Sequence, residues 1–298
     1  MAQSSPAILA EARDEFSQLT EGIRPTLHRY CARMTGSVVD AEDVFQDAPA
    51  KAYYLLPTTE VSNLQGWLFR IVHNKAIDYL WKNKSNPMEP LEEVPLQAEL
   101  APPLENEELA TLAFSIYLQL TPMQRSCVIL KDVIGYSLAE ISELLDVSVG
   151  AIKAALHSGR ENLRKLDNSV DAGVPLHLEE PEASLLSKYV ERFNARDFDA
   201  VRAMLGDDVR LDLVERTKAQ GVVEVGQYFG NYDKQKDWRL SLGFVEGRPA
   251  ILVADPQEPA SVLYFVFVRW EGGKISLIRD YRYARYVMVD AAIATANA

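Results

Sequence analysis

Apolar side chains recur every three or four residues through much of the first half of the chain, which is the spacing of one face of an α-helix. The repeat runs from Phe16 to Met34 and again from Leu68 to Leu80. It predicts an all-helical bundle over residues 11–84. Acids crowd Asp40–Asp47, which predicts a helix starting at Asp40, since carboxylates complement the dipole of a first turn. Pro49 predicts that this helix kinks or ends near Ala48.

Residues 109–166 carry two capping boxes, which fix two helix starts. Thr121–Gln124 has the first box, with proline at the first helical position, and Ser137–Glu140 has the second. The second box predicts a short helix over Leu138–Leu145, a turn at residues 146–148, and a basic helix from Val149 to about Leu166. This is the helix-turn-helix layout, in which the second helix enters the major groove. Helix pairs with a polar turn also occur in proteins that bind no DNA.

Residues 184–298 change from helical to strand-like patterns. A helix is predicted around Leu185–Phe193, continuing helically over Asp199–Leu205, and another over Val222–Phe229. Alternating or apolar runs predict five strands, at Val209–Val214, Trp238–Val245, Ala250–Ala254, Val262–Trp270 and Lys274–Tyr283. Helices followed by a curved antiparallel sheet indicate an α+β architecture.

Net charge is concentrated in two short proline-containing segments. The chain carries −12 overall, yet residues 87–108 hold seven carboxylates and residues 167–183 hold five, with no Lys or Arg in either. Like charges and proline favour extended backbone, so both segments are predicted to be linkers. The remaining modules are close to neutral. The acidity therefore describes the linkers and does not exclude a nucleic-acid partner.

Other compositional features exclude whole classes of protein. No apolar run approaches the ~18 residues of a membrane span, and charges interrupt the first 20 residues, so we expect a cytoplasmic protein. Cys31 and Cys127 lack partners at metal-ligand spacing and are interpreted as reduced core residues. No metal and no cofactor are indicated.

Bases and aromatics alternate in the segment Trp67–Lys84. Cations meet phosphates and rings stack on unpaired bases, so this composition suits single-stranded nucleic acid. A packed amphipathic helix is the alternative on composition alone.

Taken together, AEDVFQD, WLFRIVHNKAIDYL and the run from TPMQRSC to ENLRKL resemble bacterial sigma factors of the sigma-70 superfamily, extracytoplasmic-function (ECF) type. The resemblance implies sigma domain 2 in residues 1–86, domain 4 in residues 109–166, and an alternative sigma factor that brings RNA polymerase core, through its beta and beta-prime subunits, to promoter DNA. It also suggests that the carboxylates of residues 87–108 dock where the polymerase holds nascent RNA.

The resemblance assigns residues to three surfaces. The core-polymerase surface is Asp40, Glu42, Asp43, Phe45, Gln46 and Asp47. The surface for the minus-10 element is Arg70, Asn74, Lys75, Asp78, Tyr79, Trp81, Lys82 and Lys84. The surface for the minus-35 element is Ser148, Val149, Gly150, Lys153, His157 and Arg160. Ala154, Ala155 and Ser158 depart from the polar or basic residues common in the recognition helix, so weak autonomous DNA binding is expected.

The phrases YVERFNARDFDAVRAMLGDDVRL and ISLIRDYRYARYV resemble the SnoaL-like branch of the NTF2-like fold. Relatives of that fold include enzymes and binding domains, so the fold does not decide the function. Here it implies a non-catalytic module that regulates the sigma domains, with a candidate pocket for an unknown small molecule lined by Arg210, Asp212, Trp238, Tyr264, Asp280 and Tyr281. The alternative is a SnoaL-like enzyme or sensor fused to a degenerate helix-turn-helix region.

Overall fold

The computed structural model describes residues 6–55, 63–83, 114–166 and 180–296. The chain forms two compact units, residues 1–171 and 172–298, and the division falls within the second acidic segment. In the described ranges, no helix combines the length and the apolarity needed to cross a bilayer. Both predicted linkers lie largely outside these ranges.

The first unit begins with three helices, α1 (Pro6–Thr35), α2 (Val38–Leu55) and α3 (Leu64–Asn83), as the apolar repeat predicts. Helix α2 starts two residues before the predicted Asp40 because Ser37 Oγ accepts the backbone N–H groups of Val39 and Asp40, both at 3.2 Å. Of the two outcomes predicted at Pro49, a kink or an end near Ala48, the end does not occur, since the helix continues through Pro49 to Leu55.

Five further helical elements follow in the described residues of this unit. They are α4 (Phe114–Tyr117), α5 (Pro122–Val128), a π-helical turn (Ile129–Ile134), α6 (Leu138–Leu145) and α7 (Val149–Leu166). Both capping boxes are formed, with Thr121 and Ser137 as the N-caps. Asp146 adopts the left-handed conformation (φ 57°) that ends α6. The predicted helix-turn-helix is confirmed at each of its boundaries.

Arg125 joins the end of α1 to the second group of helices. Its side chain is fully buried, and its guanidinium donates to the carbonyl of Met34 and to those of Leu118 and Leu120 at 3.1 and 3.0 Å. Burial lowers the Arg125 pKa to about 10, which still leaves the group charged at neutral pH. Beside it, Tyr30 donates its hydroxyl to Ser126 Oγ at 3.0 Å.

In its described residues, the second unit has three α-helices and a seven-stranded sheet, and the third helix lies between the second and third strands in the chain. The helices are α8 (Glu182–Asn194), α9 (Phe198–Arg202) and α10 (Val222–Asp233). The strands are β1 (Leu205–Leu213), β2 (Thr217–Gln220), β3 (Arg239–Val245), β4 (Arg248–Asp255), β5 (Glu258–Glu271), β6 (Lys274–Asp280) and β7 (Ile293–Thr295), in the spatial order β2-β1-β6-β5-β4-β3-β7. A 3-10 helix spans Arg285–Val289. The α+β prediction is confirmed.

Four details of that prediction need correction. The sheet is mixed, because β1 runs parallel to β6 while the other pairs are antiparallel. Helix α8 begins at Glu182, inside the predicted second linker, and Leu205 begins a strand although a helix was expected there. The strands β2 and β7 were not predicted, since runs of three or four residues are too short to show a period.

The three helices pack on one face of the sheet, around a core rich in aromatic rings. Phe193 of α8 lies at its centre, with ring centroids 5.1 Å from both Tyr232 and Trp238 and 5.2 Å from Phe198. Strands supply aliphatic side chains such as Ile251 to the same cluster. Edge-to-face contacts of this kind stabilise beyond the area they bury.

Replacing Gly243 with Ala should destabilise the second unit by about 1–3 kcal/mol, because overpacking forces strain. A Cβ at Gly243 would lie 2.3 Å from Leu252 Cδ1 and 2.6 Å from the carbonyl oxygen of Ala294 in β7. Urea unfolding measures the change. Gly230→Ala in α10 is the control, since no atom lies within 4 Å of its Cβ position and the change should stabilise by ~0.5–1 kcal/mol. Equal stabilities for the two variants would contradict the close packing of β7.

Candidate nucleic-acid interface

One face of α3 is an exposed polar and aromatic stripe, which we call the α3 stripe. Its exposed residues are Arg70, Asn74, Asp78, Trp81 and Lys82, spaced at three and four residues. This spacing places them on one side of the helix. Trp81 is 57% exposed although it is a large aromatic residue. The stripe offers two cations, an amide and an indole face to a ligand.

The opposite face of α3 explains why the stripe points outward. Leu68, Val72, Ala76 and Leu80 are buried at four-residue spacing against α1 and α2. Phe69 packs edge-to-face on Tyr30 with ring centroids 4.9 Å apart. Burial of this apolar face fixes the rotation of the helix and leaves the stripe to solvent.

The predicted minus-10 surface separates into three groups in the structure. Five of its residues form the α3 stripe. Lys75 and Tyr79 lie one position around the helix and are half-buried. Lys84 lies outside the described residues.

The N-terminal end of α3 borders a cleft of about 530 Å³ next to α6. Arg70 crosses it and donates from Nη2 to the carbonyl of Glu143 at 2.6 Å. On the same side, Phe69 meets Tyr136 edge-to-face at 5.9 Å between centroids. The cleft is lined by Asn63, Gln65, Gly66, Trp67, Arg70, Tyr136, Glu140, Glu143, Leu144 and Asp146. The first member of the stripe is therefore bonded to the backbone of the helix-turn-helix.

The N-terminal end of α7, the second helix of the helix-turn-helix, is accessible to solvent. Ser148 caps it by accepting the backbone N–H of Ala151 at 3.2 Å, and Ser148 and Val149 are exposed. Gly150, Lys153 and His157 are half-buried. Hence five of the six residues predicted to meet the minus-35 element have some access to solvent.

Arg160, the sixth, is placed differently. Its side chain is 3% exposed and forms a bidentate pair with Asp132 of the π-helical turn, at 2.9 and 2.6 Å. A guanidinium held in this way faces protein, so the structure gives Arg160 a role within the fold. Sequence reasoning missed Asp132, because the pairing spans 28 residues and depends on how α7 packs.

The predicted core-polymerase surface on α2 is divided in a similar way. Glu42 is fully buried with its carboxylate 3.8 Å from Arg24 and 3.9 Å from His28. Phe45 is also buried, with the Arg24 guanidinium 4.5 Å above its ring. Both residues therefore hold α2 against α1 and offer no surface to a partner.

The other members of that predicted surface are more accessible. Asp43 is exposed, and Asp40 and Gln46 are half-buried. The side chain of Asp47 lies outside the described residues. The accessible part of the prediction is therefore a narrow polar edge of α2.

The six residues predicted to line one pocket of the second unit lie on two faces of its sheet. Asp280, Trp238 and Tyr264 lie on the face covered by helices. Alternation along β1 and β6 sends the others to the opposite face, where the carboxylate of Asp212 lies 3.3 Å from Arg279. Arg210 is exposed and Tyr281 packs on Phe265 with centroids 4.3 Å apart. The residues of this list cannot line a single pocket.

Asp280 is the centre of a buried polar network. It accepts hydroxyl hydrogens from Tyr228 and Tyr232 at 2.7 and 2.6 Å and the backbone N–H of Arg282 at 2.8 Å. Burial raises the pKa of Asp280, and the three hydrogen bonds oppose that rise. Burial likewise raises the Tyr264 pKa to about 12. All three hydrogen bonds to the Asp280 carboxylate come from groups of the protein itself, as is typical of a carboxylate with a structural role.

Sequence reasoning missed Tyr228, Tyr232 and Arg282 in this network. The two tyrosines are four residues apart on α10, so a shared helical face was available as a signal. Arg282 Nη1 donates to the Tyr264 hydroxyl at 2.7 Å, a bond that depends on tertiary packing.

The two cysteines are buried free thiols, as predicted. Burial raises the pKa of both, that of Cys127 to about 12, so neither is an activated nucleophile.

The chain matches two family models and is similar to individual sigma factors. Family descriptions of Sigma-70 region 2 and Sigma-70 region 4 match residues 19–86 and 117–163. The ECF RNA polymerase sigma factor SigG of Mycobacterium tuberculosis is 30% identical over 250 residues, covering 74% of this chain and 64% of SigG, slightly less than two thirds of that protein. The ECF RNA polymerase sigma factor SigM of the same species is 30% identical over 169 residues, covering 56% of this chain and 85% of SigM.

Among solved structures, the extracytoplasmic function sigma factor SigJ of Mycobacterium tuberculosis superposes with a TM-score of 0.34 at 18% identity. The superposition covers 87% of this chain and 94% of that one.

His73 makes the first unit sensitive to acid. Its Nδ1 lies 2.6 Å from the Tyr30 hydroxyl, and burial lowers its pKa to about 4. The unfolded chain binds the proton near pH 6.5, so stability should fall as the pH drops from about 6.5 towards 4. We expect a loss on the order of 1 kcal/mol between pH 7 and pH 5. His73→Asn should remove that part of the slope, measured by urea unfolding at both pH values. The control, exposed Asn74→Ala, should keep it, and an unchanged slope in His73→Asn would contradict the assignment.

Proposed function

The chain belongs to the ECF RNA polymerase sigma factors, and we propose that it directs bacterial RNA polymerase core to specific promoters as an alternative sigma factor. The observation that carries this proposal is the α3 stripe, which follows α2 and precedes a complete helix-turn-helix in the same compact unit. Promoter use needs both a surface for unpaired bases and a helix for the major groove.

The α3 stripe is proposed to bind the minus-10 element. Extruding a base from a duplex costs a few kcal/mol, which stacking and phosphate contacts can offset. Trp81 offers the stacking surface, and Arg70 and Lys82 offer cations at either end of the stripe. Asn74 and Asp78 between them supply hydrogen-bonding groups for a base edge.

Helix α7 is proposed to read the minus-35 element with its accessible N-terminal end, from Ser148 to Lys153. Base edges in the major groove present distinct donor and acceptor patterns to such a helix. His157 is proposed to face the phosphate backbone further along. The modest positive charge of this helix supports weak DNA binding by the free protein and dependence on core polymerase.

The accessible edge of α2, at Asp40, Asp43 and Gln46, is proposed to contact the polymerase beta-prime subunit, with the beta subunit contacting other parts of the protein. The carboxylates of residues 87–108 are proposed to occupy a basic nucleic-acid path of the polymerase. They lie outside the described residues, so this part of the proposal depends on their charge alone.

The second unit is proposed to be a regulatory module in a cytoplasmic protein, without catalytic activity. The placement of Asp280 supports this, since its carboxylate is enclosed by Tyr228 and Tyr232 and is 0% exposed. A general base must lie within hydrogen-bond reach of a substrate. Any small molecule that binds this unit would therefore act as a regulatory ligand.

Run-off transcription tests the proposal directly. Purified full-length protein and a version truncated after Leu166 are combined with core polymerase on a library of promoter sequences. We expect promoter-specific initiation by at least one of them, and a change in activity on truncation if the second unit regulates. Absence of core binding and of initiation by both proteins would contradict the sigma-factor assignment.

Trp81→Ala should weaken promoter opening about tenfold, because stacking contributes ~1–3 kcal/mol per base. Permanganate reactivity of unpaired thymines in the minus-10 element measures the open complex. The matched control is Tyr54→Ala on α2, where the aromatic side chain is 82% exposed and lies outside the α3 stripe. Equal effects of the two substitutions would show that Trp81 has no specific role in opening.

A further inference from the structure

Asp132 and Arg160 form a bidentate ion pair that is closed off from solvent. Arg160 Nε donates to Asp132 Oδ2 at 2.9 Å, and Nη2 donates to Oδ1 at 2.6 Å. The two side chains are 2% and 3% exposed. Two parallel hydrogen bonds between planar groups fix the relative orientation of both groups as well as their distance.

This pair links the middle of α7 to the segment that leads into the helix-turn-helix. Asp132 lies in the π-helical turn, which ends at Gly135 in the left-handed conformation (φ 92°). Lys131 Nζ donates to the carbonyl of Tyr136 at 3.1 Å and holds the start of the following loop. The carboxylate is therefore presented to α7 from a segment that is held at its C-terminal end.

The neighbouring residue on α7 is a point of close helix packing. A Cβ at Gly159 would lie 3.0 Å from Val128 Cγ2 and 3.3 Å from Gln124 Cβ of α5. Ala155, one turn earlier, is fully buried. Small residues thus set how near α7 lies to α5. The buried apolar side chains of Ile152, Leu156 and Leu163 decide which face of α7 points inward. The ion pair adds a directional polar contact to this apolar packing.

A buried ion pair is an unusual way to gain stability. Replacing such a pair with apolar residues of similar volume is often neutral or stabilising, whereas removing one partner leaves an uncompensated charge. The contribution that an apolar contact would not reproduce is the fixed orientation of the guanidinium fork. The pair therefore contributes a fixed orientation between α7 and the π-helical turn more than it contributes stability.

We propose that Asp132 and Arg160 are positioning residues that set the rotation of α7 about its axis and so decide which bases of the minus-35 element its N-terminal end meets. This inference rests on the proposed function. The accessible end begins at Ser148, twelve residues before Arg160 and therefore about 18 Å along the helix. Arg160 controls base selection through the helix and does not touch the DNA.

Two single substitutions and one double substitution test this in the full-length protein with core polymerase. Asp132→Asn removes the carboxylate that accepts the guanidinium fork, and Arg160→Met removes the fork itself. Asp132→Leu with Arg160→Met replaces the pair with an apolar contact. Arg164→Met is the matched control, since it also removes a cation from α7. The Arg164 side chain is 34% exposed, and its Nη1 donates to Glu161 Oε1 of the same helix at 3.3 Å. Initiation is measured on promoters with each minus-35 base changed in turn, at several salt concentrations.

The expected result is that Asp132→Asn and Arg160→Met each reduce the preference for the favoured minus-35 bases about tenfold, the loss of roughly one good base contact. Each single substitution should also lower the melting temperature, because it leaves a buried group without its partner. The double substitution should restore the melting temperature without restoring the preference for the minus-35 bases. Arg164→Met should keep the preference. Asp132→Asn is decisive because a carboxylate makes no phosphate contact, so its loss removes nothing from the DNA interface.

The opposite pattern overturns the inference. If Asp132→Asn keeps the base preference while Arg160→Met lowers affinity for all sequences and the salt slope by about one unit, Arg160 contacts phosphate directly. Arg160→Lys, which keeps the charge without the fork, replaces Arg160→Met if the latter does not fold, and a retained preference there also contradicts the inference. A wild-type protein without any minus-35 dependence would instead contradict the proposed function, before any variant is compared.

Discussion

The buried guanidinium of Arg125 holds the first unit together. Its two terminal nitrogens satisfy carbonyls from the last turn of α1 and from the segment around α4, groups that helix ends otherwise leave without an intrahelical partner. A positive charge also suits the C-terminal end of a helix. The helix that carries the α3 stripe packs on α1, and Arg125 bonds α1 to the segment that precedes the helix-turn-helix, so this cation contributes to the placement of the two relative to each other. Removing it would leave several buried carbonyls unsatisfied, which costs far more than one hydrogen bond contributes.

Local sequence signals predicted the elements whose causes are local. The two capping boxes fixed the starts of α5 and α6 to the residue, because the hydrogen bonds that form them span three positions. The parallel pairing of β1 with β6 was not predictable in this way, since 67 to 70 residues separate the partners. The same holds for the continuation of α2 through Pro49, where packing against α1 outweighs the lost backbone hydrogen bond.

The candidate site was predicted by residue type more successfully than by role. Arg70, Asn74 and Trp81 are on the exposed side of α3, as a nucleic-acid surface requires. Glu42 and Arg160 have equally suitable chemistry but are buried in ion pairs. Sequence patterns give the charge of a residue, whereas its role depends on whether a partner of opposite charge lies within the fold. The same distinction separates Asp280, enclosed by tyrosines, from Asp43 on the surface of α2.

The hydrogen bond from Arg70 to the carbonyl of Glu143 makes the α3 stripe and the helix-turn-helix thermodynamically linked. If nucleic acid binds the Arg70 guanidinium, the hydrogen bond from Arg70 to the Glu143 carbonyl must break. The free energy of nucleic-acid binding is therefore reduced by the free energy of that hydrogen bond. By reciprocity, whatever draws α6 away from α3 raises the affinity of the stripe by the same factor. Because Arg70 is exposed, this hydrogen bond contributes no more than about 1 kcal/mol, so that factor is roughly fivefold at most. One guanidinium thereby couples the occupancy of the two surfaces proposed to face the promoter.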